Sequence, residues 1–238
     1  MLRSFSQPLL GLLSAAFLIA TSPMPVMSLS LEDTQKKLEV IAVFTLISEK
    51  GEFYQIVQGD TLVIPLFLQA AAADQMLKSK GAPKGQIQAF SLNLFLKKAD
   101  ELRSAAEKSG KKLATPIVVP EDDMAKAKEI LRSEGLSSEA IAKGLRTPIF
   151  FAEPMIAIDT PSGNRSIFFA DYGQLQRSIA RLPADKRAQV KEKVADLDVV
   201  LEFIRKSETD QYSFMPTEDY AKLRNEYLKT SGDSSTKK

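Results

Sequence analysis

The sequence predicts an α/β (α+β) protein built from two pseudo-symmetric halves. Each half has the order strand, turn, strand, helix, strand, helix, with sheets packed on helices. Short apolar, β-branched runs bounded by turn residues alternate with segments of helical apolar period. The spacing also recurs, since Phe67 and Leu94 are 27 positions apart and Phe168 and Leu197 are 29 apart. The apolar fraction of 44% is that of a chain that buries a core.

In the first half, helices and strands are distinguished by the period of their apolar residues. The predicted elements, in chain order, are strands at 40–47, 53–57 and 62–68, a helix at 70–80, a strand at 86–92 and a helix at 94–108. Phe95, Ala99, Leu102 and Ala106 recur at helical spacing, which places them on one face of the last helix.

The second half repeats this order after a connection. The connection is predicted to contain a strand at 114–119 and helices at 121–134 and 138–143; the second half follows with strands at 147–158 and 165–170, a helix at 172–182, a strand at 192–196 and a helix from 197. Pro154 should interrupt the first of these strands, because proline cannot donate to a ladder. Thr217 can cap a last helix with Tyr220, Leu223 and Tyr227 on one face.

The N-terminal segment predicts export. Arg3 precedes an apolar run at 9–20, and Val26 and Ser28 fit a small-residue cleavage rule. That run is shorter than the roughly 20 residues that cross a bilayer, so no stable membrane span is expected. The predicted divisions of the chain are a signal peptide at 1–28, a first α/β half at 29–113, a helical connection at 114–146, a second α/β half with a C-terminal helix at 147–229 and a disordered tail at 230–238.

Composition excludes several classes of enzyme. The chain has no histidine, cysteine or tryptophan. Zinc enzymes, haem proteins with His or Cys ligands and Ser-His-Asp hydrolases are therefore excluded. A net charge of +2 gives no indication of nucleic-acid binding. The Ser109 to Lys112 segment matches a Ser-x-x-Lys pattern, but it lies at the end of an exposed helix among turn residues. We expect no catalytic residue, no metal site and no cofactor.

The strands carry more apolar side chains than a sheet with one buried face requires. Candidates for binding apolar segments of a client protein are Phe67, Phe150, Phe151, Met155 and Phe168. Two interpretations are open at this point: a sheet covered on both faces, or a sheet with one face left as an apolar groove.

Four segments resemble one family: LEVIAVFTLISEKGE, IPLFLQAAAADQMLKSKG, TPIVVPEDDMAKAKEILRSEG and TPIFFAEPMI. The family is the twenty-two-kilodalton subunit of the translocon at the inner envelope of chloroplasts, in its cyanobacterial form. The resemblance implies a soluble, non-enzymatic protein of two related α/β halves that acts in protein transport. It also implies unfolded or translocating proteins and the outer-membrane assembly barrel machinery as partners. The implied compartment is the periplasm, with the thylakoid lumen or the chloroplast intermembrane space as alternatives.

Three functions remain as hypotheses. The first is a periplasmic chaperone that holds apolar segments during protein transport and outer-membrane biogenesis. The second is a structural adaptor that docks on the translocation or outer-membrane machinery without holding clients. The third is a hydrolase that uses two carboxylates, which the lack of tryptophan for sugar platforms disfavours.

Overall fold

The computed structural model describes residues 29–79, 84–160, 163–207 and 210–222. The predicted signal peptide at 1–28 and tail at 230–238 lie outside the described residues, as do Leu223 and Tyr227 of the predicted last helix.

Several of the helices begin where a side chain caps them. Ser91, Asp171 and Asp196 each accept a hydrogen bond from a backbone N–H of the helix that follows. The helices are α1 (Leu31–Lys36), α2 (Ala70–Lys78), α3 (Leu92–Lys108), α4 (Glu121–Ser133), α5 (Ser138–Gly144), α6 (Tyr172–Ala180), α7 (Ala184–Arg187) and α8 (Leu197–Lys206), with a 3-10 turn at Lys37–Val40. Residues 218–222 are also helical.

The strands form several small sheets. They are β1 (Ala42–Ser48), β2 (Ile56–Gln58), β3 (Thr61–Val63), β4 (Leu66–Phe67), β5 (Gly85–Ser91), β6 (Lys112–Ala114), β7 (Ile117–Val118), β8 (Pro148–Glu153), β9 (Ala157–Thr160), β10 (Gly163–Phe168), β11 (Lys191–Asp196) and β12 (Tyr212–Phe214). Strand β8 ends directly before Pro154, as the sequence predicts. Strand β12 is not predicted by the sequence, because its three residues lie in a polar stretch.

The two halves have the same strand order and orientation. In the first sheet the order is β5-β1-β4-β7, with β1 antiparallel to β5 and β4, and with β4 parallel to β7. In the second half β8 is antiparallel to β11, and a bridge between Phe150 and Phe169 joins it to the end of β10. Strand β10 is in turn parallel to β12. The mixed α/β class and the repeated order of elements are therefore confirmed.

Two prolines interrupt the first half. The predicted strand at 62–68 is divided into β3 and β4 around Pro65, and the predicted strand at 114–119 is divided into β6 and β7 around Pro116. Proline has no backbone N–H to contribute to the ladder. The pairing nevertheless continues past both breaks, because the Leu66 N–H donates to the Pro116 carbonyl at 2.9 Å. Strands β2, β3 and β6 form a separate small sheet.

The hydrophobic core has three parts. A central cluster contains side chains of both halves, including Val43, Phe95, Ile149 and Phe168. The opposite face of the first sheet packs beneath α2, and the opposite face of the second sheet packs beneath α4, α5 and α6. Both sheets are therefore covered on both faces, which decides between the two interpretations that the sequence leaves open.

The halves exchange the segments that follow their last strands. After β7, helix α4 crosses to the second half, where it packs against β8 and β11. After β12, Tyr220 packs in the outer cluster of the first half. This exchange ties the two halves together through their outer faces as well as through the central cluster.

Candidate functional site

The structure separates the five residues that the sequence proposes as one apolar binding site. Phe67 is buried on the outer face of the first sheet, Phe150 on the outer face of the second, and Phe168 in the central cluster. Phe151 and Met155 are half-buried and pack against the central cluster. The physical reason is the alternation of strand side chains, which sends neighbours such as Phe150 and Phe151 to opposite faces. The five residues therefore do not line one groove in this structure, and their role in binding a client stays a prediction.

Phe168 is nevertheless the centre of an aromatic cluster. Its ring centroid lies 5.6 Å from that of Phe151, 6.4 Å from Phe203, 5.9 Å from Tyr212 and 5.9 Å from Phe214. Most of these rings are tilted or edge-on, the geometry that aromatic quadrupoles favour. We call these five residues the Phe168 cluster.

The outer side chains of the Phe168 cluster are only half-buried. Phe151, Phe203 and Tyr212 keep part of their surface in solvent, and Phe203 and Tyr212 are 5.0 Å apart between ring centroids. We call these three residues the aromatic rim. Sequence reasoning found Phe151 but missed the other two. Phe203 lies next to, and not in, the regular apolar stripe of α8, and Tyr212 belongs to the strand that the sequence does not predict.

Charged side chains fix the strand that carries Tyr212. Lys37 donates to the Tyr212 carbonyl at 2.6 Å and also pairs with Asp210. Arg165 pairs with the other oxygen of Asp210 at 2.8 Å. The hydrogen bond from Arg165 lowers the pKa of Asp210. The aromatic rim thus has a polar border, held by side chains from three separate parts of the chain.

The first half has a smaller aromatic cluster of its own. Phe53, Phe90 and Phe95 have ring centroids 5.6, 5.7 and 6.2 Å apart, and Phe95 is fully buried. An open groove of about 570 Å³ lies beside Phe53 and is also lined by Lys98 and Leu102. Glu52 and Gln55 also line this groove.

A third feature is an acidic cleft of about 380 Å³ between the halves, at the N-terminal ends of α2 and α6. Asp219 accepts from the Ala70 N–H at 3.4 Å, while Asp123 accepts from the Tyr172 N–H. Each aspartate follows the end of its preceding strand by five positions, 118 to 123 and 214 to 219. Each accepts from the first backbone N–H of a helix in the other half. The exchange of segments therefore extends to the capping residues.

Asp123 is the titratable group that this cleft perturbs. Burial raises its pKa to about 6, and the neighbouring charges of Asp171 and Asp122 act in the same direction. Its hydrogen bond from the Tyr172 backbone opposes that shift. Asp171 is the N-cap of α6 and accepts from the Gln174 N–H at 2.7 Å.

Two further features are absent from the described parts of the chain. Within them, no cluster of three or more acidic side chains has the arrangement of a metal site. No helix in those same ranges is both long and apolar enough to span a bilayer.

These features define a duplicated mixed α/β protein with two aromatic clusters and an acidic cleft. No family model matches the chain, and no curated protein matches it by sequence. Among solved structures, the chain is similar to Tic22 from Plasmodium falciparum, with 20% identity, a TM-score of 0.62 and coverage of 81% of this chain and 96% of the other. It is also similar to Anabaena Tic22, described as a protein of protein transport, with 15% identity, a TM-score of 0.63 and coverage of 85% and 97%. The chain thus has the fold of these Tic22 structures, as the resemblance implies.

Proposed function

We propose that this protein takes part in protein transport by holding apolar segments of unfolded or translocating polypeptides on the aromatic rim. The observation that carries the proposal is the set of half-buried side chains Phe151, Phe203 and Tyr212 around the buried hub Phe168. The likeness to the Anabaena structure described as a protein transport protein supports it. It describes a binding protein and involves no catalytic step.

The energetics suit weak, reversible binding. Full burial of a large apolar side chain is worth about 1.5–3 kcal/mol, and the half-buried rim can gain only part of this from each residue. Ordering an unfolded client and restricting its motion offset much of the gain. Met155, which packs against the same central cluster, adds a flexible side chain that can adapt to different sequences.

The proposed compartment is the periplasm, because the sequence predicts a signal peptide at 1–28. The thylakoid lumen and the chloroplast intermembrane space are the alternatives. In the periplasm the proposed clients are unfolded outer-membrane proteins on their way to the barrel assembly machinery. The strands of these proteins have alternating apolar residues, which the aromatic rim could contact.

The test replaces two aromatic residues of the rim and leaves Phe168 unchanged. The double variant Phe203→Ser, Tyr212→Ser should reduce the suppression of aggregation of an unfolded outer-membrane β-barrel protein by about fivefold or more, because it removes two of the three rim contacts. Light scattering after dilution of the barrel protein from denaturant measures the effect. Circular dichroism melts check that the variant remains folded.

Val57→Ser is the matched control. Val57 is 60% exposed on β2, in the first half and away from the rim, so its loss removes apolar surface at a different place. The control should suppress aggregation as well as the unmodified protein does. Equal suppression by the rim variant and the control would contradict the proposed site.

A specific observation favours the adaptor as the second candidate. Phe67, Phe150 and Phe168 are all buried, so the apolar surface left for a client is smaller than the sequence suggests. If the folded protein suppresses no aggregation at all but is crosslinked in cells to one outer-membrane or translocation component, the adaptor function replaces the chaperone function.

A further inference from the structure

The acidic cleft is lined by four carboxylates and also by the cation Lys222. Of its four acidic side chains, Asp219 pairs with Lys222 at 3.1 Å and Glu218 pairs with Arg177 at 2.6 Å. Across the described ranges, Asp123 and Asp171 form no ion pair. Burial raises the pKa of Asp123, and no nearby cation in the described segments opposes that shift.

A buried amide oxygen in the same cleft also lacks a partner. Gln174 is only 8% exposed and lines the cleft. Its Nε2 donates to the Pro216 carbonyl at 2.9 Å, which fixes the orientation of the amide because a carbonyl can only accept. The Oε1 atom is then left buried with no hydrogen-bond donor. Buried acceptors without a donor are unusual in folded proteins, and this one is independent of the two aspartates.

We propose that the cleft binds a guanidinium or ammonium group, and specifically the side chain of an arginine or lysine in a polypeptide client. This proposal rests on the proposed function, because it assigns a second contact to the same client. A guanidinium has five N–H donors, which are enough in number to serve two carboxylates and an amide oxygen. The aliphatic stem of the side chain would pack against the apolar lining residues Leu68, Pro120 and Ala170.

The other classes of ligand fit less well. Helix N-termini attract anions, but at α2 and α6 Asp219, Asp123 and Asp171 already accept from backbone N–H groups, and their charges repel an anion. A metal ion is disfavoured, because no acidic cluster in the described part of the chain has a metal-binding arrangement. The volume of about 380 Å³ lies in the range of roughly 300–1,000 Å³ that is usual for small-ligand pockets.

The test uses a blocked amino acid as the probe. Nα-acetyl-arginine methylamide is titrated into the full chain by isothermal calorimetry at low ionic strength, beside the neutral citrulline analogue of the same shape. The arginine probe should bind at least about tenfold more tightly than the citrulline probe, because charge-assisted hydrogen bonds to carboxylates are lost with the charge.

Two variants and a control locate the site. Asp123→Asn and Asp171→Asn should each weaken binding about tenfold, and both keep an oxygen that can cap α6. Asp122→Asn is the control, because it removes the adjacent charge from the same turn of α4 outside the cleft lining. Equal weakening by all three variants, or equal binding of the two probes, would overturn the proposal.

Two more arms separate this site from the aromatic rim and identify the source of the cation. The variant Phe203→Ser, Tyr212→Ser should still bind the arginine probe, and Asp123→Asn should still suppress aggregation of a client that lacks arginine and lysine. An unstructured peptide with one central arginine should bind at least as tightly as the blocked amino acid. If the blocked arginine binds and the peptide does not, the proposal that the ligand is a polypeptide side chain is wrong.

Discussion

The two halves of the molecule share a topology but differ in how they complete it. In the first half Pro65 and Pro116 break two strands, and the outer face packs beneath α2 and Tyr220. In the second half β10 is continuous, and the outer face packs beneath α4, α5 and α6. Strand pairing is therefore enough to preserve the strand order of a duplicated sheet, whereas the helices that pack on its outer face can differ.

Alanine substitutions of Phe150 and Phe44 test most directly how the helices packed on each outer face affect stability. They occupy equivalent places, since each is opposite a phenylalanine of the next strand, Phe169 and Phe67 respectively. Phe150→Ala should lower the free energy of unfolding by about 4 kcal/mol, because three helices hold the cavity open. Phe44→Ala should cost about 3 kcal/mol, because the segments that cover it can relax inward and shrink the cavity. Urea denaturation measures both values, and equal costs would show that the cover does not matter.

Thr217 tests the exchange of segments between halves. Its Oγ1 accepts from the Ala42 N–H at 3.1 Å and from the Tyr220 N–H at 3.3 Å, so it joins the two halves and caps a helix at once. Thr217→Ala should cost about 2 kcal/mol, because it leaves a buried N–H of β1 without an acceptor.

Ser137→Ala is the reference for this measurement. Ser137 caps α5 with a single bond to the Ala140 N–H, at the exposed surface, and its loss should cost about 1 kcal/mol. If the two substitutions have the same effect in urea denaturation, Thr217 acts only as a helix cap.

Asp123 and Asp219 give the smallest effect and distinguish the two ends of the acidic cleft. The pKa of Asp123 is about 6 in the folded protein, above the value of about 3.9 in an unfolded chain. The folded state therefore binds this proton more tightly, and the contribution of Asp123 to stability falls as the pH rises from about 4 to 7. Asp123→Asn should remove this decline and stabilise the protein at pH 7.5 by about 1 kcal/mol, a value reduced for partial solvent exposure.

Asp219→Asn is the matched control, because it loses an ion pair with Lys222 and should not stabilise the protein. Thermal melts between pH 4 and pH 8 record both variants. If the stability of Asp123→Asn still falls as the pH rises, a residue other than Asp123 has the raised pKa.

Much of the fold follows from local sequence. The period of α3 is visible in the sequence, and α3, α6 and α8 begin within about two residues of their predicted starts. The sequence predicts strands near β2, β3 and β6, but not that they form a sheet of their own, and it does not predict β12, whose three residues leave no period to read. Strands β6 and β12 pair with strands far away in the chain, β3 and β10.

The binding site was less predictable than the fold. The sequence identified Phe168 and Phe151, but it grouped them with Phe67 and Phe150, which lie on other faces. Phe203 and Tyr212 join the rim only because α8 and β12 pack beside β10. Asp122 and Asp123 look like ordinary partners of a helix dipole in the sequence, where nothing distinguishes one from the other.

The sequence by itself determined the class of fold, the recurrence of its elements and the kinds of chemistry that a chain without histidine or cysteine cannot perform. These depend on composition and on local period, which each segment carries within itself. Only the tertiary structure decided which phenylalanines remain partly exposed, and that Asp123 and Asp219 each cap a helix of the opposite half. Such properties depend on contacts between segments that are far apart in the chain, and burial and electrostatics are set by those contacts.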